Sequence, residues 1–445
     1  MFNNILFVIG ILIFIFFAYS IIISFYEKEH KAAFKLLSLV IVIIPIFILP
    51  SILNFEEIYS KILLTIFTIF ILILTIPLKG KIHKPQKHKT QIDERDIMFS
   101  REELIPESER FTEYYTQNPK KLILDNKFRK NPGLLKPGTS KYNPILFALS
   151  NANFFTVESF KNRVDGIVSE NKIDLQAKEI SKFIKTHTIY AGAKACGITK
   201  LKKSHLYSVK GRGDTYGKTV VNKHKFAIAI TVEMNKEMVD TAPLAPTVTE
   251  SSRQYIEAGK LAIQLAAFIR NMGYSAKAHI DGSYDVVCPL VAKDAGLGEL
   301  GRMGLLISPK IGSKVRISVV TTDLELIADK VFNSNSVIDF CIQCKKCATN
   351  CPSQAISFLD REEINGVLRW QINQEACYTY WTKAGTDCSK CIQVCPYSHQ
   401  NNLLHNLVRK GINNSFIFRK FALLGDDFLY GKKPKAKPFP KFMNI

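Results

Sequence analysis

The first 78 residues contain three long runs without a charged side chain, and nothing else in the sequence restricts the fold as strongly. The runs cover residues 1–26, 36–55 and 62–78. An α-helix needs about 20 apolar residues to cross a bilayer, within a range of about 17–25, and it satisfies its own backbone hydrogen bonds. The sequence therefore predicts three transmembrane helices. A cleaved signal peptide is the alternative for the first run, but neither a positively charged start nor a small-residue cleavage site is visible.

Basic residues are distributed unevenly around these runs, and this distribution predicts the orientation of the helices. The loop after the first run carries three lysines, whereas the loop after the second run has Lys61 as its only basic residue. The segment after the third run contains Lys79, Lys81, Lys84, Lys87 and Lys89. Because cytoplasmic loops carry an excess of Lys and Arg, we expect a multi-pass protein of the cytoplasmic (inner) membrane, with everything after residue 78 facing the cytoplasm. Residues 79–89 either contact anionic lipid headgroups or act as a stop-transfer signal.

The chain after this basic segment is polar at first and then acquires the pattern of a globular domain. Residues 174–187 have the periodicity of an amphipathic helix, and the apolar, β-branched runs 226–232 and 315–322 predict buried strands. Ser251 and Gln254 predict a capping box at the start of another helix. Because strands and helices alternate, we expect an α+β fold, with mixed α/β as the alternative.

Eight of the ten cysteines lie between residues 341 and 395, in two groups with ferredoxin-like spacing. The groups are Cys341-x2-Cys344-x2-Cys347-x3-Cys351-Pro352 and Cys388-x2-Cys391-x3-Cys395-Pro396, with Cys377 upstream of the second. In bacterial ferredoxins, three cysteines of such a run bind one [4Fe–4S] cluster and the fourth ligates the other cluster. The sequence therefore predicts two clusters. We name the ligands of one the first thiol set, Cys341, Cys344, Cys347 and Cys395, and those of the other the second thiol set, Cys351, Cys377, Cys388 and Cys391.

Other patterns in the sequence give weaker indications. Two structural zinc sites are the alternative for the eight cysteines, because zinc also binds CxxC pairs. Cys196 and Cys288 stand alone and are expected to be small buried residues. Residues 213–219 resemble a phosphate-binding loop, but its required first glycine falls on Arg212. Residues 296–301 match the dinucleotide fingerprint GxGxxG, but the segment that follows is too short and too interrupted for the crossover helix.

Five segments resemble the cobalamin-dependent reductive dehalogenases, a family related to the epoxyqueuosine reductases. They are FAIAITVEM, FIRNMGYSAKAH, AGLGELGRMGLLISPKIGSKVRISVVTTDLEL, FCIQCKKCATNCPSQAI and CYTYWTKAGTDCSKCIQVCPYSH. The last segment is the most specific, because it includes the wide spacing between Cys377 and Cys388 that simple ferredoxins lack. The resemblance covers roughly residues 100–435.

The resemblance implies a nitroreductase-like, corrinoid-binding core and a ferredoxin-like domain with two [4Fe–4S] clusters, with base-off cobalamin between them. The implied reaction is the reductive removal of halide from a small organohalide, and a halogenated phenol or other aromatic is expected. In the family a tyrosine donates the proton, assisted by a cation. The matching residues are Tyr255 and Arg316, with Arg302 as the second choice for the cation. The residues expected at the cofactor are Gly296, Gly298, Gly301 and Arg302.

Elementary acid–base chemistry is compatible with these roles. A phenol with a pKa near 10 keeps its proton at pH 7 and can deliver it to a developing carbanion. A guanidinium beside it stabilises the phenolate that remains. Without the resemblance, Tyr255 would be interpreted as an aromatic residue that packs on the core, and Arg316 as a surface charge at a strand edge.

These inferences divide the chain into five parts and imply a set of partners. The parts are three transmembrane helices in 1–78, a basic juxtamembrane linker and N-terminal wrapping segment in 79–145, the cobalamin- and substrate-binding core in 146–335, the two-cluster domain in 336–400, and a basic C-terminal tail in 401–445. No flavin reductase is fused to the core, so we expect a separate electron donor, which is a ferredoxin, a flavoprotein or a membrane donor.

Two other functions are considered. A tRNA-modifying enzyme like epoxyqueuosine reductase would suit the net charge of +21, but the juxtamembrane and C-terminal lysines account for much of that charge, and a membrane anchor favours a small lipophilic substrate. We therefore expect no nucleic-acid partner. A membrane-bound ferredoxin that only relays electrons would need neither a corrinoid nor the long segment that precedes the clusters.

Overall fold

The computed structural model describes residues 1–78, 80–83, 90–332, 335–364 and 367–443. Of the basic cluster after the third apolar run, Lys79, Lys84, Lys87 and Lys89 lie outside the described residues. The chain forms two compact units. The first unit consists of Met1–Ile82 and Gln400–Pro434, and the second consists of His83–His399 and Lys435–Ile445.

The described residues contain helices and short strands in the following order. The helices are α1 (Phe2–Tyr26), α2 (His30–Ile52), α3 (Glu57–Thr75), α4 (Met98–Glu102), α5 (Glu109–Gln117), α6 (Pro119–Arg129), α7 (Pro144–Ser159), α8 (Ala177–Tyr190), α9 (Lys236–Val239), α10 (Ala245–Asn271), α11 (Cys288–Asp294), α12 (Asn335–Cys344), α13 (Lys346–Asn350), α14 (Gln374–Ala384), α15 (Lys390–Gln393), α16 (Leu403–Asn414) and α17 (Phe416–Tyr430). The strands are β1 (Ala195–Lys200), β2 (Phe226–Glu233), β3 (Ala276–His279), β4 (Glu299–Leu300), β5 (Leu306–Ile307), β6 (Val315–Thr322), β7 (Glu362–Ile364) and β8 (Val367–Arg369).

The first unit contains the three apolar helices that the sequence predicts. Helices α1, α2 and α3 are each long and apolar enough to cross a membrane, and most of their large apolar side chains are exposed. Helix α1 packs closely on α2, because a Cβ on Gly10 would come within 2.9 Å of Ile48. These helices indicate that the protein is associated with a membrane.

The C-terminal part of the first unit is largely helical, which the sequence patterns did not predict. Residues 401–445 are expected to form a basic tail, but helices α16 and α17 occupy most of this range. Gly411 lets the two helices approach each other, since a Cβ there would lie 2.5 Å from the ring of Phe418. The tail was predicted from the lysines at 432–437, which follow α17, and the helical segment before them carries little net charge.

The second unit is built around a four-stranded antiparallel sheet with the order β1-β2-β6-β3. The predicted strands 226–232 and 315–322 are its two central strands, which is why nearly all of their residues are buried. On β2 the larger residues Phe226, Ile228 and Ile230 face a core shared with α8 and α10, whereas Ala227 and Ala229 face a core shared with α11. Since every pairing is antiparallel, the mixed fold is α+β, as predicted.

Helix α10 begins earlier than the sequence predicts. Ser251 does not cap this helix, because the helix starts at Ala245 with Pro246 in its first turn. Proline fits the first turn because its missing N–H is not needed there. Ser251 therefore lies within the helix with its side chain buried, and it takes part in the site described below.

The segment before the sheet packs as helices on the rest of the second unit. Arg101, whose side chain is completely buried, pairs with Asp125 at 2.6 Å and with Glu375 of α14 at 2.8 Å. Helix α7 lies against α10, where Ser150 and Thr249 hydroxyls are 3.0 Å apart. The ion pairs of Arg101 fix α14, which carries Cys377, against α4 and α6.

Candidate functional site

The first thiol set lies together in the structure, as the predicted crossover requires. Cys341 and Cys344 are on α12, Cys347 is on α13, and Cys395 comes directly before Pro396. All four thiols line one cavity, together with Arg302, Met303 and Tyr397. The fourth thiol thus comes from the second cysteine group, so that the two groups are interleaved.

The second thiol set lines a different cavity, of about 160 Å³, and consists of Cys351, Cys377, Cys388 and Cys391. The same cavity is lined by Tyr255, Arg316 and Asp387, and by the aromatic side chains of Tyr380 and Trp381. The distant Cys377, which is the least regular of the predicted ligands, therefore joins the other three. This cavity combines four thiols with a tyrosine and an arginine.

Local backbone geometry turns each CxxC segment so that its thiols point to one side. Lys345 follows Cys344 of the first set, and Ser389 follows Cys388 at the corresponding position of the second set. Lys345, Cys388 and Ser389 have positive φ, at 52°, 60° and 49°. Non-glycine residues seldom adopt this conformation. Strain of this kind is typical of ligand-binding turns.

The thiols are placed in surroundings that oppose their ionisation. Burial, with a smaller contribution from neighbouring thiols, raises the pKa of Cys377 and of Cys388 to about 12. Buried thiols in sets of four need a bound cation to become thiolates. The chemistry of the donors therefore fits two iron–sulfur clusters, whose binding would release protons.

Tyr255 and Arg316 face each other in the second cavity. Tyr255 is on α10 and Arg316 is on β6, and the guanidinium carbon lies 5.1 Å from the centre of the phenol ring. Burial raises the pKa of Tyr255 to about 12, while Arg316 lowers it and the carboxylates of Asp281 and Asp387 raise it. The phenol therefore holds its proton firmly at neutral pH beside a permanent positive charge.

Two side chains that the sequence did not assign to the site, Ser251 and Asp387, hold Arg316 in this position. The guanidinium Nη2 donates to Ser251 Oγ at 2.6 Å and to Asp387 Oδ2 at 3.1 Å, and the Ser251 hydroxyl also donates to Asp387 Oδ2. Asp387 directly precedes the ligand Cys388. Among the described residues, Arg316 Nε and Asp387 Oδ1 are buried without a hydrogen-bond partner, so both can bind a group that enters the cavity.

Arg302, the second choice for the cation, lies at the first thiol set. Arg302 is buried at the first thiol set, where it donates to the backbone carbonyls of Cys341 at 3.1 Å and Ser357 at 2.8 Å, and its guanidinium stacks on Trp370. It is therefore part of the wall around the first thiol set, whereas Tyr255 lines the cavity of the second set. The geometry favours Arg316 over Arg302 as the partner of Tyr255.

The glycines expected at the cofactor are packed against protein. A Cβ on Gly296 would come within 2.5 Å of the Lys330 carbonyl, and one on Gly298 within 2.2 Å of the Ile307 carbonyl. A Cβ on Gly301 would lie 2.5 Å from the Ile307 side chain and 3.6 Å from Cys341 Sγ. Close packing alone explains these glycines, and a corrinoid contact through them stays a prediction.

Comparisons with known proteins agree with this geometry. The model of the 4Fe-4S dicluster domain matches residues 340–399. The tetrachloroethene reductive dehalogenase of Sulfurospirillum multivorans is 36% identical over 222 residues, which is 48% of this chain and 44% of that protein. Epoxyqueuosine reductases also match, at 28–29% identity over shorter segments.

Solved structures of reductive dehalogenases have a similar fold. One, described as suggesting a mechanism for B12-dependent dehalogenation, has a TM-score of 0.58 and 26% identity over 65% of this chain and 42% of its own. The catabolic reductive dehalogenase NpRdhA in complex with 3-bromo-4-hydroxybenzoic acid has a TM-score of 0.58 and 25% sequence identity. The match covers 64% of this chain and 42% of NpRdhA.

These findings define a class of protein with a reductive dehalogenase-like fold and an iron–sulfur dicluster domain. The predicted resemblance of this chain to the cobalamin-dependent reductive dehalogenases is confirmed, as is the predicted mixed α+β fold with a [4Fe–4S] domain. The chain spans less than half the length of the relatives that it matches.

Proposed function

We propose that this protein is a membrane-anchored reductive dehalogenase that depends on cobalamin and two [4Fe–4S] clusters. The reaction is R–X + 2e⁻ + H⁺ → R–H + X⁻, in which the carbon–halogen bond is reduced and halide leaves. One observation carries the proposal: Tyr255 and Arg316 line the same cavity as the four cysteines of the second thiol set. A proton donor thus lies beside the cluster that these four thiols would hold.

The chain's own residues supply binding sites for the cofactors. The first and second thiol sets would each hold one [4Fe–4S] cluster. Arg316 Nε and Asp387 Oδ1, which are buried without partners among the described residues, offer polar contacts beside the second set to a base-off corrinoid. Cobalamin would supply the cobalt at which the carbon–halogen bond is cleaved.

Tyr255 provides the proton. Its pKa of about 12 keeps the phenol protonated at neutral pH, and the proton leaves Oη only when a strongly basic carbanion develops in the substrate. Arg316, 5.1 Å from the ring, stabilises the phenolate that remains. Positioning and electrostatic stabilisation of this kind are the main contributions that a protein makes to such a step.

A halogenated phenol or another small halogenated aromatic is the proposed substrate. Aromatic side chains of Tyr255, Tyr380 and Trp381 line the cavity, and aromatic rings pack well on one another. NpRdhA was crystallised with a brominated hydroxybenzoic acid, whereas the relative from Sulfurospirillum multivorans is named for tetrachloroethene. Both substrate types therefore belong in the assay.

We also propose that the second unit faces the cytoplasm and takes electrons from a separate ferredoxin, flavoprotein or membrane donor. The orientation is supported by the lysines of the first loop and of residues 79–89. Three apolar helices support attachment to the inner membrane.

The test is halide release by the full-length protein, purified without oxygen in detergent and supplied with cobalamin. Reduced viologen serves as the donor, and bromo-, chloro- and iodophenols and tetrachloroethene serve as substrates. We expect about eight Fe and one Co per chain, and halide release that requires both viologen and cobalamin. A protein that binds iron but no cobalt, or that binds both and releases no halide, would contradict the proposal.

A further inference from the structure

Helices α16 and α17 expose several large apolar side chains and bury several charged or polar ones, although Lys410 and Lys420 are exposed and Ile412 is buried. Their exposed side chains include Leu403, Leu407, Phe421, Leu424 and Phe428, of which Leu403 and Leu424 are 64% and 65% exposed. We call these five residues the outer apolar face. The buried side chains include His405, Arg409, Arg419 and Asp426. In a water-soluble helix the apolar stripe faces the core and charged residues face outward.

Helix α8 of the second unit shows the ordinary pattern in the same chain. Its buried residues include Ile180 and Ile184, while Lys178 and Lys182 are exposed. The exposure of large apolar side chains is therefore a property of the C-terminal helices. An exposed row of large apolar side chains of this kind marks a surface that contacts something other than water.

Several of the buried polar groups of α16 and α17 bind partners within the first unit. His405 Nε2 lies 3.2 Å from Glu27 Oε2, and Asn402 donates to Glu27 Oε1 at 2.5 Å, at the end of α1. Arg419 Nε donates to the carbonyl of Ile412 at 2.8 Å, and Arg409 donates to the carbonyl of Gln400 at 3.2 Å. Internal satisfaction of polar groups is what an element in contact with lipid requires.

The outer apolar face continues the surface of the apolar helices. Helix α17 packs on α2 and α3, and the Phe421 ring lies 5.8 Å from that of Phe70 on α3. Phe70 comes five residues before the end of α3, which places Phe421 roughly 7 Å inside the end of that helix at 1.5 Å per residue. The Phe416 N–H donates to the carbonyl of Leu78 at 3.0 Å, so α17 starts where the third apolar run ends.

Lys35 indicates the level of the other end of α17. Its ammonium donates to the carbonyl of Phe428 at 2.5 Å and lies 5.1 Å from the centre of the Phe428 ring. Lysines near the ends of membrane helices extend their charge toward the headgroups while the alkyl stem stays in apolar surroundings. These contacts place Phe421 beside the apolar part of α3 and Phe428 beside Lys35, in the first turns of α2.

We propose that α16 and α17 form an interfacial helix pair whose outer apolar face is inserted into the boundary between headgroups and acyl chains of the bilayer. Amphipathic helices of this type bury their apolar face about 5–10 Å into the boundary. The membrane part of this protein is then a five-helix unit built from both ends of the chain. A second copy of the chain and another protein subunit are the competing occupants of the surface.

Photocrosslinking in vesicles distinguishes these occupants. The photoreactive residue p-benzoylphenylalanine replaces Leu424 in one variant and Leu407 in another, and the full-length protein is reconstituted in phosphatidylcholine–phosphatidylglycerol vesicles. Ile66, exposed on α3, is the lipid-facing control, and Phe155, which is 77% exposed in the second unit, is the water-facing control. Using two exposed positions keeps the test valid if one variant folds poorly.

We expect lipid adducts at Leu424 and Leu407 in a yield that matches Ile66 and clearly exceeds Phe155, as measured by mass spectrometry of the labelled peptides. Yields at the level of Phe155 would overturn the proposal. Crosslinks to a second copy or to another protein instead of lipid would also overturn it and would identify that occupant. Absence of lipid adducts at Ile66 would overturn the membrane assignment on which the inference rests. Since no turnover is measured, the outcome does not depend on the proposed catalytic activity.

Discussion

Individual side chains around the second thiol set determine whether a proton can be delivered where electrons arrive. Tyr255→Phe removes the only ionisable group of this side chain and keeps its ring, so the packing against Phe154, at 6.3 Å between ring centres, is retained. We expect turnover to fall by about 10²–10⁴-fold, with unchanged iron and cobalt content. The exposed Tyr190, replaced by Phe in the same way, should leave turnover unaffected. Equal activity of Tyr255→Phe and the unaltered protein would refute the proton-donor assignment.

The same tyrosine sets an expectation for the pH dependence. Because the pKa of Tyr255 is about 12, the donor stays protonated throughout the neutral and moderately alkaline range. Turnover should therefore show no alkaline decline due to this group until the pH approaches 12. A decline that disappears in Tyr255→Phe, measured with the residual activity of that variant, would show that the phenol ionises at lower pH.

Asp387 is a positioning residue for Arg316, because it contacts the guanidinium at 3.1 Å and Ser251 at the same oxygen. Asp387→Ala should let Arg316 move from its place over Tyr255, and a misplacement of about 1 Å can cost roughly 100-fold in rate. Asp387→Asn keeps an acceptor oxygen and should restore part of the loss. We expect kcat to fall more than KM changes in both variants.

The matched control for this pair is Asp329→Asn, which disrupts an ion pair with Lys185 away from the cavity and should leave kcat unchanged. Steady-state kinetics with halide detection supplies both constants, and iron analysis shows whether the neighbouring Cys388 still binds its cluster. If Asp387→Ala and Asp387→Asn both retain full kcat, Asp387 has no role in positioning Arg316.

At the level of secondary structure, the turn after α14 connects the second thiol set to the segment at the start of α7. Gly385 has a φ of +83°, and a Cβ there would lie 2.2 Å from Thr139 Oγ1 and 2.9 Å from Phe147. Gly385→Ala should therefore displace the loop that carries Asp387 and Cys388, lower the thermal unfolding midpoint and reduce bound iron. The left-handed conformation alone costs roughly 1–2 kcal/mol for alanine.

Gly217→Ala is the matched control, since Gly217 has a φ of +80° but no atom within 4 Å of the position of a Cβ. It carries the conformational cost without the steric conflict. If the two variants lose the same amount of stability and iron, then the contact with Thr139 and Phe147 does not hold the loop in place.

The sequence patterns predicted the helices and strands that are buried on one face or completely. They failed where contacts between distant residues determine where an element begins. Strand β6 matches its prediction from Val315 to Thr322, because the run is rich in β-branched residues and most of it is buried as a central strand. Helix α10 begins six residues before the expected capping serine, since Ser251 binds Arg316 and Asp387 instead of a helix end. Helices α16 and α17 were not predicted although residues 403–430 have amphipathic helical periodicity, because the prediction for this part of the chain used only the lysines at 432–437.

The residues of the candidate site were also predicted only in part. Spacing alone placed all eight cysteines in two interleaved sets, and the resemblance brought Tyr255 and Arg316 together. Asp387 and Ser251 could not be found in this way, because they are far apart in the sequence and meet only where β6, α10 and the turn after α14 converge. Asp387 stands next to Cys388 in the dicluster motif, which was the one available signal.

For the molecule as a whole, interleaving of the two cysteine groups makes the dicluster domain a single structural unit. Cys395 lies with Cys341, Cys344 and Cys347, so Cys395→Ser should remove the cluster of the first thiol set although it is next to the second group in sequence. We expect about half of the eight irons to remain, as measured by iron analysis and by electron paramagnetic resonance of the reduced protein. Cys288→Ser, outside both sets, should keep all of them. Loss of the cluster at the second thiol set instead would contradict the crossover.

Orientation in the membrane is the remaining property of the whole molecule that the charge distribution predicts. Because the first loop and the segment after residue 78 are rich in lysine, both should face the cytoplasm, and the turn around Asn54, between α2 and α3, should face outward. A protease-cleavable tag inserted after Asn54 should be cut in intact spheroplasts, whereas a tag after Ile167, which is 95% exposed in the second unit, should be cut only after lysis. The reverse result would place the second unit outside the cell, and a soluble cytoplasmic ferredoxin or flavoprotein could not then be its electron donor.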